Sequence, residues 1–180
     1  MTAHGRLPLL FLDVDGPLIP FGAKPRQLPG GYPLHPAPPG LPGAGTNPLL
    51  DRIDPALGPR LAGLPCALIW ATTWGEDANA CVAPRLGLPA LPVLDEPEEP
   101  ERDEPGHHPA GGGRLHWKTR PIVGLAAGRP FAWVDDEISA ADRAHVADHH
   151  PGPALLHRVD PARGLTGADL AALGAWLRTV

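Results

Sequence analysis

The fold turns on one stretch near the N-terminus, Leu9-Leu10-Phe11-Leu12-Asp13-Val14-Asp15-Gly16. An apolar run ends there in two aspartates separated by a single valine, and a glycine follows at once. A continuous apolar run reads as a strand covered on both faces, as in a parallel sheet. Two carboxylates where such a strand ends stand at the mouth of the sheet, where open α/β folds bind their ligands. Acids that close repel one another, so something positive is expected between them, and hard oxygen ligands suit Mg²⁺. The plainer alternative is a strand running into an Asp-Gly turn. The rest of the chain has to choose between the two.

Two further apolar runs repeat the pattern. Cys66-Ala67-Leu68-Ile69-Trp70-Ala71 ends in Thr72-Thr73-Trp74-Gly75. Hydroxyls just past a buried strand, with a helix beginning after them, are placed to hold an anion; the alternative is simple helix capping by one of the threonines. Pro130-Phe131-Ala132-Trp133-Val134 ends in Asp135-Asp136-Glu137. The alternative for those acids is capping of a helix over 138–147. A proline-marked edge strand over 88–94 and a last strand over 154–159 bring the expected number to five.

Helical spacing fills the gaps. It predicts a helix over 48–62 with Asn47 as N-cap and Pro48 at its first position. A second runs over 76–86, its last turn broken by Pro84. A short one opens at His116-Trp117-Lys118-Thr119-Arg120-Pro121 and closes at Gly128, and the last is capped by Thr166-Gly167-Ala168-Asp169. A lysine at a helix start opposes the helix dipole, so Lys118 is read as answering an anion. The alternation implies an α/β fold: a three-layer, Rossmann-like domain with a mostly parallel five-stranded sheet and helices on both sides.

Composition sets the remaining bounds. The 180 residues fit one domain over 1–180, and 43% hydrophobic content is ordinary for a folded chain. Gly 22 and Pro 26 are high and concentrate in two segments. Residues 17–48 read as a Pro/Gly-rich flap or loop insertion leaving the active end of the first strand, and 95–116 as an acidic, glycine-rich loop. Neither looks like a large cap domain. The pair His107-His108 lacks metal-ligand spacing and reads as solvated. A net charge of -5 gives no global basic field for nucleic acid, although Arg114, His116, Lys118 and Arg120 form a small basic stretch. Cys66 and Cys81 fit neither a zinc site nor a disulfide framework, and the apolar run 7–12 is too short for a signal peptide or a membrane span. The expectation is a soluble, cytoplasmic protein without membrane association.

Gathered at one sheet edge, Asp13, Asp15, Thr72, Lys118, Asp135 and Asp136 make a poor general hydrolase, with no Gly-x-Ser-x-Gly elbow and no activated thiol. They suit phosphoryl transfer, with a divalent ion and Lys118 on the phosphate oxygens. The order Asp13-x-Asp15-Gly16, a hydroxyl after the second strong strand, Lys118, then Asp135-Asp136, resembles the haloacid dehalogenase superfamily from Leu9 to about Ser139. The Thr72-Thr73-Trp74 and Asp135-Asp136-Glu137 contexts are similar in style to small members attached to RNA-repair systems. The resemblance implies Asp13 as nucleophile and Mg²⁺ ligand, and Asp15 as general acid/base with its carbonyl on the metal. It implies Thr72, with Thr73 as second candidate, and Lys118 on the phosphate, and Asp135 and Asp136 on Mg²⁺. Pro17 departs from the pattern, since phosphatases of this kind often carry Thr there. The function implied is a Mg²⁺-dependent phosphomonoesterase acting on a small phosphorylated substrate through an aspartyl-phosphate. The alternatives are a catalytically idle binding or regulatory module and a nucleic-acid end phosphatase, the latter opposed by the nearby acids.

Overall fold

A computed structural model describes residues 6–96 and 114–180. Four parallel strands, β1 (Leu9–Leu12), β2 (Ala67–Trp70), β3 (Phe131–Asp135) and β4 (Ala154–Arg158), form one sheet in the order β2-β1-β3-β4. Strand β1 is buried at all four positions and β3 at all five, which is why both read as unbroken apolar runs. Alternate residues feed opposite layers. Leu10, Leu12, Ala132 and Val134 join one core, and Leu9, Phe11, Phe131 and Trp133 the other.

The first core is closed by α1 (Leu57–Ala62), α2 (Ala83–Leu86) and α5 (Gly167–Leu177), through Leu61, Leu86, Leu170, Leu173 and Leu177. The second is closed by α3 (Thr119–Ala126) and α4 (Ala140–His149), through Ile122, Ala126 and Val146. The three-layer arrangement with helices on both sides is therefore present.

The sheet has four strands, not five. The segment expected as an edge strand over 88–94 touches β2 at one bridge, Trp70 to Val93. Pro92 carbonyl accepts from Trp70 N at 2.8 Å and Leu94 N donates to Trp70 O at 2.7 Å. Pro89 and Pro92 have no N–H to extend that ladder. The Asn79 side chain holds the segment instead, accepting from Leu91 N at 2.8 Å and donating to Leu91 O at 2.9 Å.

Two helices also differ from expectation. The stretch 48–62 splits into a 3₁₀ turn, Pro48–Arg52, and α1. Pro55 causes the break, because it forbids helical backbone at Asp54 and offers no amide hydrogen. Asn47 does cap the first piece, its side chain accepting from Leu49 N at 3.1 Å. The stretch 76–86 winds as a π turn, Ala78–Val82, before α2, with Pro84 in the opening turn of α2. Gly58 is required where α1 meets α2, since a Cβ there would lie 1.7 Å from the Leu86 carbonyl oxygen.

The helix ends follow their sequence signals more closely. Thr166 and Asp169 form the expected capping box on α5. Helix α4 is capped by Ser139 with Asp142, so Asp135, Asp136 and Glu137 are not its caps. No helix among the described residues is long and apolar enough to cross a membrane. Most of the acidic, glycine-rich loop, including the His107-His108 pair, lies outside the described residues.

Candidate active site

Strand order places the site. From β1 the chain crosses to β2 on one side, while β3 and β4 lie on the other. The carboxyl ends of β1 and β3 thus flank the point where strand order reverses, which is where such sheets open a crevice. Leu12 pairs with Val134, and Asp13 N donates to Val134 O at 3.0 Å, so Asp13 and Asp135 emerge side by side.

Lys118 arrives from the start of α3 and sits between them. Its Nζ lies 2.9 Å from Asp13 Oδ2 and 2.7 Å from Asp135 Oδ2. All three side chains are buried, Lys118 at 2% exposure. That explains a lysine at a helix start, and the acids it bridges are Asp13 and Asp135, not the Asp13 and Asp15 between which a cation was expected. Asp142 anchors the lysine's loop. Its Oδ1 accepts from His116 N at 2.8 Å and from Thr119 Oγ1 at 2.6 Å, while its Oδ2 accepts from Ser139 N at 2.8 Å. Burial pushes the Asp142 carboxyl upward, but the Ser139 hydroxyl, which donates to Oδ2 at 2.6 Å, and then these other hydrogen bonds hold it below its ordinary range.

The acids differ in how well they are matched. Asp135 Oδ2 also accepts from Trp133 Nε1 at 3.2 Å, and its Oδ1 accepts from Glu137 N at 2.9 Å. Asp13 Oδ1 accepts from Val14 N at 2.8 Å. Burial, opposed by Lys118 and reinforced by the Asp135 charge, pushes Asp13 up to about 7. Burial and then the charge of Asp135 push Asp136 above its ordinary value as well. Gly16, at φ +85°, makes room for it: a Cβ on Gly16 would lie 2.7 Å from Asp136 Cγ and Oδ1.

A cavity of about 160 Å³ opens over these groups, lined by Asp13, Asp15, Thr73, Lys118 and Asp136, with Phe21 and Trp117 among its walls. Thr72 is buried at 2% exposure, and its Oγ1 accepts from Trp74 N at 3.3 Å, whereas Thr73 faces the cavity. Asp135 is fully buried behind the lining. Of the expected flap, Phe21 reaches this cavity, while Pro17, Gln27 and Tyr32 line a separate one of about 530 Å³ against residues 160–166.

Carboxylate oxygens of Asp13, Asp135 and Asp136 all lie within 4.8 Å of one another. The donor set is hard oxygen throughout, and burial raises two of its three members above the ordinary carboxylate range. One buried ammonium does not balance three buried acids, so the set fits a further cation of the Mg²⁺ type. A second group within the same span, His116, Asp135 and Glu137, adjoins it. His116 Nδ1 accepts from Lys118 N at 3.2 Å, which leaves Nε2 to donate toward Glu137 Oε2 at 3.2 Å.

Sequence reasoning missed four contributors. Trp74 Nε1 donates to Asp15 Oδ2 at 2.9 Å, Trp133 serves Asp135, His116 borders the cavity and Asp142 ties down the lysine loop. Ser139-x-x-Asp142 was a readable capping signal, whereas the indole contacts carry no local sequence signal. No family model, curated protein or solved structure matches this chain.

Proposed function

We propose that the protein is a Mg²⁺-dependent phosphatase of the haloacid dehalogenase type, hydrolysing small phosphoric monoesters through an aspartyl-phosphate on Asp13. The observation that carries this reading is Asp13 itself. It is a buried carboxylate at a strand exit, 2.9 Å from an ammonium, facing a cavity, with a second acid two positions on. A buried acid pushed up to about 7 gains most from any cation that joins Lys118 beside it.

The roles follow from position. Lys118 and the Thr73 hydroxyl, both lining the cavity, bind the phosphoryl oxygens. An Asp13 oxygen forms a bond to phosphorus while the bond from phosphorus to the leaving oxygen breaks. Asp15 donates its proton to that leaving oxygen. Water then attacks the acyl phosphate and gives a proton back to Asp15, the bond between phosphorus and Asp13 breaks, and inorganic phosphate departs. Asp13, Asp135 and Asp136 would hold Mg²⁺, which when bound offsets charge on the acids and on the transferring group. Thr72 supports the turn that presents Thr73. The small, open cavity suits the phosphoryl group itself and leaves the rest of the substrate outside.

The test is a screen of phosphorylated metabolites and an aryl phosphate with Mg²⁺, using the Asp13→Asn protein as blank. Turnover by the wild type that disappears with EDTA and with Asp13→Asn is expected. Equal signals from wild type and blank across the panel would falsify the proposal.

A further inference from the structure

Asp15 needs one oxygen free to carry a proton and a side chain held still while it does so. Pro17, two positions on, has neither an amide hydrogen nor a hydroxyl to offer it. The hydrogen bond comes instead from the far side of β1, where Trp74 Nε1 donates to Asp15 Oδ2 at 2.9 Å. The indole is itself fixed. Its ring packs against the core that holds α1, α2 and α5. Its amide donates to Thr72 Oγ1 at 3.3 Å, and its carbonyl accepts from Asp77 N at 3.0 Å.

We infer that Trp74 is the positioning residue for Asp15, and that its one-way hydrogen bond makes Oδ1 the oxygen that delivers and retrieves the proton. The reason is chemical. An indole N–H donates and never accepts. Oδ2 therefore stays an acceptor whether Asp15 is charged or neutral, and the proton of the neutral acid resides on Oδ1. In the forward step the Oδ1–H bond breaks and the proton passes to the leaving oxygen. In the second step a water proton re-forms that bond as the water oxygen attacks phosphorus. Thr72 acquires a purpose in the same arrangement, since its buried hydroxyl fixes the backbone that carries the indole. The inference rests on the phosphatase reading and deepens it.

The experiment compares wild type, Trp74→Phe, Asp15→Asn and the double variant on phosphate monoesters ranging from 4-nitrophenyl to simple alkyl, all with Mg²⁺. An alkyl leaving group depends on protonation and a nitrophenyl group hardly does. Trp74→Phe is expected to lower kcat/KM about tenfold or more for the alkyl ester and about threefold or less for the nitrophenyl ester. In the Asp15→Asn background it should add nothing. Equal losses on both esters, or losses that multiply in the double variant, overturn the inference. A wild type inactive on every ester, and indistinguishable from Asp13→Asn, sinks the phosphatase reading and the positioning role of Trp74 in proton transfer with it. The contact is read separately, without altering Trp74, from its indole ¹H–¹⁵N resonance. That resonance should move upfield in Asp15→Ala while those of Trp70 and Trp133 stay put, and a resonance that does not move means the indole is not bonded to Asp15.

Discussion

Asp13 and Asp135 leave neighbouring strands and share one ammonium, at 2.9 and 2.7 Å, yet their other surroundings diverge. Asp135 is wholly buried, with an indole and a backbone amide added to its lysine. Asp13 has one backbone amide and a cavity in front of it, and burial pushes it up to about 7. A fully satisfied carboxylate holds Lys118 in place, and an under-satisfied one faces the cavity. The two acids thus divide into a satisfied and an under-satisfied carboxylate, which two aspartates at equivalent strand exits do not show from sequence.

The sharpest break of that division is Asp13→Asn. On the proposed mechanism, loss of turnover by about a thousandfold or more is expected in a steady-state phosphatase assay, because that mechanism takes Asp13 as its nucleophile. The fold should survive, since Lys118 keeps Asp135. Lys118→Met removes the cation from both acids. With two buried carboxylates left facing each other, a loss of about 3–5 kcal/mol is expected in urea unfolding of the metal-free protein. Asp135→Asn should cost about 3 kcal/mol in the same measurement, because its charge answers the lysine, the indole and the amide together. Asp136→Asn should cost far less stability, since burial and the Asp135 charge oppose its ionised form. On the proposed reading its effect, like that of Asp135→Asn, also falls on the Mg²⁺ dependence of turnover. If Asp135→Asn and Asp136→Asn exchange these outcomes, the division is wrong.

What could be read in the sequence was whatever depends on one strand and its exit. The apolar runs of β1 and β3 fixed two buried strands, and the acids after them had to lie on one edge of a parallel sheet. The Thr166 box and the Asn47 cap were equally local. The fifth strand failed because Pro89 and Pro92 withhold the amides a ladder needs, and Val93 alone does not make a strand. Pro55 cut a helix whose apolar spacing ran straight through it. The partners of the acids were hidden for a different reason. Trp133 read as one more residue of an apolar strand and Trp74 as part of a strand exit, and whether an indole edge meets a carboxylate depends on three-dimensional placement that no spacing encodes. The choice between Thr72 and Thr73 also turned on a side-chain direction, toward the Trp74 amide for one and toward the cavity for the other.

The smallest effect separates the two acids by pH alone. The folded protein holds the Asp13 proton up to about 7, against 3.8 for an ordinary aspartate, so between those values the folded state binds more protons than the unfolded one. Stability contributed by this group is therefore complete below about pH 4 and is lost as pH rises toward 7. His145 and His150 act the other way. Burial pushes both below 6.5, so their contribution grows as pH rises past them. The wild-type curve mixes these trends, but its difference from Asp13→Asn isolates the first. A shift of this size sets a ceiling of about 4 kcal/mol, and the buried amide of the variant retains part of the cost of a polar group there. The metal-free variant should match the wild type near pH 4.5 and exceed it by on the order of 2 kcal/mol at pH 7.5, in urea unfolding at constant ionic strength. Mg²⁺ should narrow the gap at pH 7.5, because a cation beside Asp13 stabilises its charged form in the wild type and meets one carboxylate fewer in the variant. A gap that does not change with pH would mean that Lys118 satisfies Asp13 as fully as it does Asp135, and the contrast between the two acids would vanish.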